Sequence, residues 1–254
     1  MRKDLIAGNW KMNANHLEAI QMVQKLSYRL DHDDYERVDV VVCPPFTALR
    51  SAQTVIETDH LAIKLGAQNV EWRDSGAYTG EVSPSMLSKL SVRFVIVGHS
   101  ERRQHFGETD EIVNKKAKAV IEAGMTPIVC VGETLEARDS GVAEERVASQ
   151  LRASLAGIDP EAVASIAVAY EPIWAIGTGR TASADDAGAM CAYVRDTIRD
   201  FAGDAADSTR VLYGGSVNPG NIAGFMAKKD IDGGLVGGAS LDPDTFASII
   251  RYWI

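Results

Sequence analysis

The chain has 254 residues, 46% hydrophobic and 24% charged, which excludes a disordered tail protein and fits either one α/β barrel of about 250 residues or two smaller domains. Lys plus Arg number 26 against 35 Asp plus Glu, a formal charge of −9, so nothing global draws nucleic acid or an acidic membrane. Three scattered cysteines, Cys43, Cys130 and Cys191, without a CxxC, support neither a disulfide framework nor a thiolate zinc site.

The opening MRKDLIAGNWKMN holds an apolar run too short for a secretory signal. No window nears the roughly 18 apolar residues of a membrane span, so a cytoplasmic protein is expected. From there strand-like runs alternate with helix-like segments. The runs are Asp4–Ala7, Val38–Val42, Leu61–Leu65, Arg93–Val97, Pro127–Val131, Ser165–Ala169, Arg210–Leu212 and Gly234–Val236. Most are rich in Val and Ile, which suits strands buried on both faces of a parallel sheet. After the first run, HLEAIQMVQKLSYRL predicts a helix with Leu17, Ile20, Val23, Leu26 and Leu30 on its inner stripe. Thr109 predicts an N-cap for DEIVNKKAKAVIEAG, which has acids in its first turn and stops at Gly124. Asp242-Pro243-Asp244 opens FASIIRYWI in the same way, with proline in the first turn. Roughly eight strand–helix units of about 30 residues fill the chain, and no linker or low-complexity tract divides it. One domain over 1–254, closed into a barrel, is expected. An open doubly wound sheet uses the same alternation, and periodicity alone does not separate the two.

Polar and glycine residues gather just after the strand runs, in GNWKMN, CPPF, GAQN, GHSERR, CVGET, YEPIWAIGTGRTA, YGGSVNPGN and VGGAS. In a closed parallel barrel these ends share one face and supply the active site. Glu171 follows SIAVAY and precedes Pro172, which keeps it extended. It reads either as a base, its pKa raised if Ile176 and Leu235 close over it, or as a strand-end ion-pair partner. His99 reads as an electrophile or acid–base group, or as a capping or core histidine. Lys11, beside Asn9, reads as an anion-neutralising cation, a Schiff-base nucleophile or a surface lysine. Glu101, Arg102 and Arg103 read as a solvated charge run or as an ion-pair network under the site.

Glycine loops at Gly214–Ser216 and Gly237–Gly238 end the last two runs, where such barrels cradle phosphate on backbone N–H groups; simple tight turns would look the same. GTGRTA is not a dinucleotide fingerprint, because EPIWAI separates it from its strand. GGSVN has Asn218 where a nucleophile elbow needs its last glycine. A strand-end Lys, His and Glu with two glycine loops point to proton transfer on a small phosphorylated carbonyl compound.

AGNWKMN, VGHSERR, AYEPIWAIGTG, YGGSVN and GGLVGGASL, in this order along essentially the whole chain, resemble the triosephosphate isomerase family. The family is itself a standard case for a neutral catalytic histidine and for lid closure, so the resemblance brings those roles with it. It implies a single (β/α)8 TIM barrel with a closed parallel sheet, acting in glycolysis and gluconeogenesis. It implies interconversion of dihydroxyacetone phosphate and D-glyceraldehyde 3-phosphate through an enediolate, with no cofactor and no metal. Glu171 would be the base and His99 a neutral electrophile, with Asn9 and Lys11 as stabilisers and Glu101 as the partner of Lys11. Backbone at Gly177, Ser216, Gly237 and Gly238 would hold the phosphate.

AIGTG would be the tip of a mobile lid, Ile176, Gly177, Thr178 and Gly179 included, hinged at Pro172–Trp174 and at Arg180–Ala182. The family often carries lysine where Arg180 stands, which leaves the hinge detail open. Tyr213 and Ser216 would hold the lid closed, and Glu133 would hold Trp174 when it is open; ordinary packing also accounts for that tryptophan. The loop GAQNVEWRDSGAYTGEVS would insert into a second subunit, bringing Thr79 near its Asn9 and Lys11, with Glu81 and Arg102 in the same contact. A homodimer follows, with a mobile surface loop as the other reading. Two other functions remain beside the isomerase: a Schiff-base aldolase using Lys11, and a non-enzymatic barrel that binds sugar phosphate. Cys130, at a strand end beside the site, reads as a support for Glu171 packing, as an oxidation-sensitive thiol or as an inert core thiol.

Overall fold

The computed structural model describes residues 2–176 and 181–254. Eight parallel strands close in sequence order: β1 (Asp4–Asn9), β2 (Val38–Cys43), β3 (Lys64–Ala67), β4 (Phe94–Val97), β5 (Thr126–Val131), β6 (Ala167–Tyr170), β7 (Arg210–Tyr213) and β8 (Gly233–Val236). Helices follow the strands and cover the outside, so the architecture is the closed (β/α)8 TIM barrel and not the open sheet. Closure runs through β1 and β8, where Leu5 pairs with Gly233 and Gly8 with Val236. Gly233 has a φ of +144°, and a Cβ there would lie 1.9 Å from the Leu5 carbonyl oxygen, so the seam admits only glycine at that point.

Both faces of the sheet are buried, which explains the uninterrupted apolar runs. All six residues of β2 are buried. Along it Val41 and Cys43 point into the barrel, where they meet Leu5, Phe94, Ile96, Ile128 and Leu212. Val40 and Val42 point out against helix residues such as Val23, Leu26 and Leu49. The barrel floor, at the amino ends of the strands, is charged. Asp39 there accepts from Lys3 at 3.1 Å, Lys64 at 2.8 Å and Arg210 at 2.9 Å.

Helix starts follow local chemistry. Asn15 caps the helix His16–Ser27 in a reciprocal box with Glu18, Thr109 caps Asp110–Glu122, and Asp242 caps Pro243–Ile250. Two expectations need correction. Leu17 is 59% exposed, and Ala19 takes its place on the buried stripe. The third strand is Lys64–Ala67 and not Leu61–Leu65, because the chain is still leaving a turn at His60, whose φ is +50°. Ile63 is nevertheless buried, in the outer core. Among the described residues, no helix is long and apolar enough to cross a membrane.

Candidate active site

The carboxyl ends of β1, β4, β6, β7 and β8 meet around one cavity of about 260 Å³. Its wall includes Asn9, Lys11, His99, Ile176, Gly214–Val217, Leu235 and Gly237–Ala239. The sequence-predicted Asn9, Lys11, His99, Ile176, Ser216, Gly237 and Gly238 are thus brought together from segments more than 200 positions apart.

Asn9 ends β1 and is buried; its Oδ1 accepts the backbone N–H of Lys11 at 3.0 Å. Lys11 has a φ of +54°, a left-handed conformation that costs a non-glycine residue on the order of 1–3 kcal/mol. Gln68, after β3, holds it there by donating to the carbonyls of Lys11 and Cys43, each at 2.8 Å. Sequence reasoning did not single out Gln68. The Lys11 ammonium forms an ion pair with Glu101.

His99 caps the helix Ser100–Phe106, and its Nδ1 accepts the Glu101 backbone N–H at 3.2 Å. That bond selects the tautomer with its proton on Nε2. Nε2 lies 2.9 Å from Oε1 of Glu171. Glu171, just after β6, is fully buried and is held from three sides, by His99, by the Ser100 backbone N–H at 2.9 Å and by the Ser100 hydroxyl at 3.3 Å. Gly132 makes room for it, because a Cβ there would lie 1.8 Å from the Glu171 carbonyl oxygen.

These contacts correct the expected electrostatics of Glu171. Burial raises its pKa, but His99 and the two Ser100 donors outweigh burial and leave it lowered. Ile176 and Leu235 line the cavity, whereas the carboxylate is turned to His99 and Ser100. His99 shows the mirror effect. Burial lowers its pKa, and the carboxylates of Glu171 and Glu101 raise it beyond that, opposite to what a helix start alone would do. Ser100 gave no sequence signal, since its side chain adds only the weaker of its two bonds.

Cys130 is buried in the barrel interior; burial, and then the Glu171 carboxylate, push its thiol far up, so it stays protonated. The Glu101–Arg103 stretch is an ion-pair network and not a solvated run. Arg102 pairs with Glu108, which also takes Lys116, and Arg103 pairs with Asp110 while donating to the Gly98 and Cys130 carbonyls.

Beside the cavity, Pro172 is buried and leads into the short 3-10 turn Ile173–Ala175. Glu133, fully buried, accepts from Trp174 Nε1 at 2.8 Å and from the Tyr170 hydroxyl at 3.0 Å. Arg138, another residue the sequence did not mark, lies 4.8 Å from the Trp174 ring centre and bonds Asp186 at 3.1 Å. Tyr213 is buried and stacked on Phe225 at 4.1 Å, with its hydroxyl beneath Gly215. Gly177, Thr178, Gly179 and Arg180 lie outside the described residues. On the other side of Lys11 a second groove, of about 270 Å³, runs past Met12, Phe46, Arg102 and Phe106. Thr79 and Glu81 are exposed and line neither hollow.

Comparison with known proteins identifies the family. A family model described as triosephosphate isomerase matches residues 4–253. The triosephosphate isomerase of Corynebacterium efficiens is 55% identical over 249 residues, covering 98% of this chain and 95% of the relative. That of Streptomyces coelicolor is 53% identical over 252 residues, covering 99% and 98%. That of Nocardia farcinica is 54% identical over 249 residues, covering 98% and 95%. The chain belongs to the triosephosphate isomerase family and is an isomerase.

Proposed function

We propose that the chain interconverts dihydroxyacetone phosphate and D-glyceraldehyde 3-phosphate by proton transfer through an enediolate. The observation that carries this reading is the meeting of Lys11, Asn9 and His99 with a glycine rim at one cavity, with Glu171 bonded to His99 at its edge. Glu171 turns from Ser100 into the cavity and takes a proton from one carbon of the substrate. The C–H electron pair moves toward the carbonyl, whose oxygen becomes the enediolate oxygen. His99 donates its Nε2 proton toward that oxygen, with Asn9 and Lys11 stabilising the charge. The neighbouring hydroxyl gives up its proton through His99 to the former carbonyl oxygen and becomes the new carbonyl, while Glu171 returns its proton to the adjacent carbon, which completes the isomerisation. Once Glu171 has left, His99 loses its nearest carboxylate, and burial with the adjoining helix start favours the neutral imidazole.

The phosphate dianion sits on the backbone of Ser216, Gly237 and Gly238, at the start of the 3-10 turn Gly238–Leu241, and Gly177 adds to it from the lid. The lid, Gly177–Gly179 with Thr178 at its centre and flanks at Pro172, Trp174 and Ile176, closes over the substrate; Tyr213 and Ser216 hold it shut, and Glu133 holds Trp174 in the open state. Closure excludes water from the intermediate. Lys11 is engaged as a cation by Glu101, which favours the electrostatic role over a Schiff-base aldolase needing a free amine.

The reading includes one catalytic domain over 1–254, a cytoplasmic setting and a homodimer. Met12 at 95% and Phe106 at 67% exposure support the last, since apolar side chains so open along one groove suit a second subunit, and Tyr78, on the loop after β3, is 42% exposed as well. The partner's Thr79 and Glu81 loop fills that groove near Arg102.

A coupled assay of the purified protein with each triose phosphate, without added metal or cofactor, tests the activity. Conversion in both directions is expected, and Glu171→Gln should abolish nearly all of it while still binding a phosphate analogue. No conversion, or a near wild-type Glu171→Gln variant, overturns the reading.

A further inference from the structure

The segment 71–83 after β3 contributes nothing to the cavity, yet it is closed on itself by contacts within its own chain. Its base is closed by the Glu71 N–H donating to the Val82 carbonyl at 2.8 Å. Its tip is turned by the Glu81 N–H on the Tyr78 carbonyl at 3.0 Å and by Gly80, whose φ is +93°. Between base and tip sits Arg73. Its guanidinium carbon lies 4.3 Å from the Trp72 ring centre and 4.3 Å from the Tyr78 ring centre. Its Nη1 donates to the buried Glu71 carboxylate at 2.7 Å. Trp72 in turn receives the Lys115 ammonium, 5.6 Å from its ring centre, from the helix Asp110–Glu122.

We propose that Arg73 is a preordering clamp: it fixes this loop, and Thr79 next to Tyr78 at its tip, before a second copy of the chain meets it. This rests on the homodimer reading above. A loose loop must be ordered at the moment of docking, and that lost freedom is subtracted from the affinity. A loop ordered beforehand avoids the loss. The residue type matters: a planar guanidinium stacks on rings and still presents N–H groups to a carboxylate, which an ammonium does less well. Glu71, Trp72 and Tyr78 are the base, the rising limb and the start of the tip, so one side chain links the base to the tip.

The test is a dilution series on the full chain, wild type against Arg73→Ala and Arg73→Lys. Oligomeric state is followed by sedimentation, and hydrogen exchange is read over residues 71–82. Loss of two exposed cation–ring contacts weakens each loop about tenfold, and a dimer has two loops, so Arg73→Ala should raise the dimer dissociation constant about a hundredfold. Arg73→Lys should fall between the two. Exchange of the loop should quicken in the alanine variant at concentrations where both proteins are monomers. Activity per dimer at high protein concentration should stay within about twofold of wild type, since Arg73 touches neither cavity. A wild-type dimer with an Arg73→Ala constant within about threefold of it, or unchanged loop exchange, overturns the clamp alone. A wild type that is monomeric at micromolar concentration overturns the homodimer reading, and the clamp falls with it.

Discussion

Glu171 and His99 are bonded to each other, Oε1 to Nε2 at 2.9 Å, and both are buried. The electrophile of the proposed reaction therefore donates its Nε2 proton to the base before substrate arrives. The bond, with the two Ser100 donors, lowers the Glu171 pKa against the rise that burial imposes.

His99→Gln tests that coupling. The amide still donates a hydrogen bond but cannot become a cation. With the largest opposing influence gone, burial should dominate and the Glu171 pKa should rise. The sign follows for activity: the base must be ionised, so the acid limb of kcat/KM, corrected for the substrate's dianion fraction, should move to higher pH. Replacing the fixed imidazole donor with a less well placed amide should also lower kcat, by no more than the roughly 10²–10³-fold that removing a preorganised donor outright costs. A pH–rate profile of the variant reads both, and an acid limb at the wild-type position would show that His99 does not set the Glu171 pKa.

Gln68 and Lys11 offer a second test. Gln68 satisfies two carbonyls and holds Lys11 at its φ of +54°. Gln68→Leu keeps the bulk and removes both donors. Stability should fall by about 2 kcal/mol from the orphaned carbonyls. The misplaced ammonium should raise KM about tenfold, with a smaller effect on kcat. Urea unfolding and steady-state kinetics measure the two. Unchanged KM would mean that Asn9 and Glu101 position Lys11 without help.

Much of this site was legible in the sequence because strand ends of a parallel barrel must share a face. Once the eight runs were found, Asn9, Lys11, His99, Glu171 and the glycines just after β7 and β8 fell on one side by topology. What was not legible was rotamer and partner. Glu171 has Ser100 as a holder because the chain turns into a helix at His99, and only coordinates show which way the carboxylate swings. Gln68 acts through its amide on backbone from two other strands, a contact that no local spacing encodes. Leu17 misled because a stripe counted at helical spacing does not say which flank meets the sheet; Ala19 is small enough to pack there.

Gly233 gives a prediction about closure. A methyl group there would overlap the Leu5 carbonyl, and the φ of +144° is one that alanine strongly resists. Gly233→Ala should lose more than about 4 kcal/mol, a Tm drop of at least roughly 10 °C in a chain of this size. Thermal melting by circular dichroism checks it. A drop under about 4 °C would show that the β1–β8 seam can open enough to admit a side chain.

Asp39 ties four segments at the barrel floor, and its removal should be felt as a function of pH. Burial raises its pKa, but the Lys64 and Lys3 ammonium groups outweigh burial and leave it below its ordinary 3.8. A depressed carboxylate contributes stability that is full above the unfolded pKa and is lost as pH falls through the folded one. Asp39→Asn leaves Lys3, Lys64 and Arg210 facing one another without their shared anion. The Lys3 and Lys64 side chains are 43% and 39% exposed, so solvent screens part of the effect, and the loss should be about 2 kcal/mol and not the larger cost of breaking a fully buried pair. Urea unfolding of wild type and variant at pH 7, 5 and 3 measures it. The gap should be the same at pH 7 and 5, because Asp39 is ionised in folded and unfolded wild type at both. It should narrow at pH 3, where the unfolded wild-type chain takes up a proton that the folded chain resists. A gap that stays constant down to pH 3 would assign the loss to packing and not to charge.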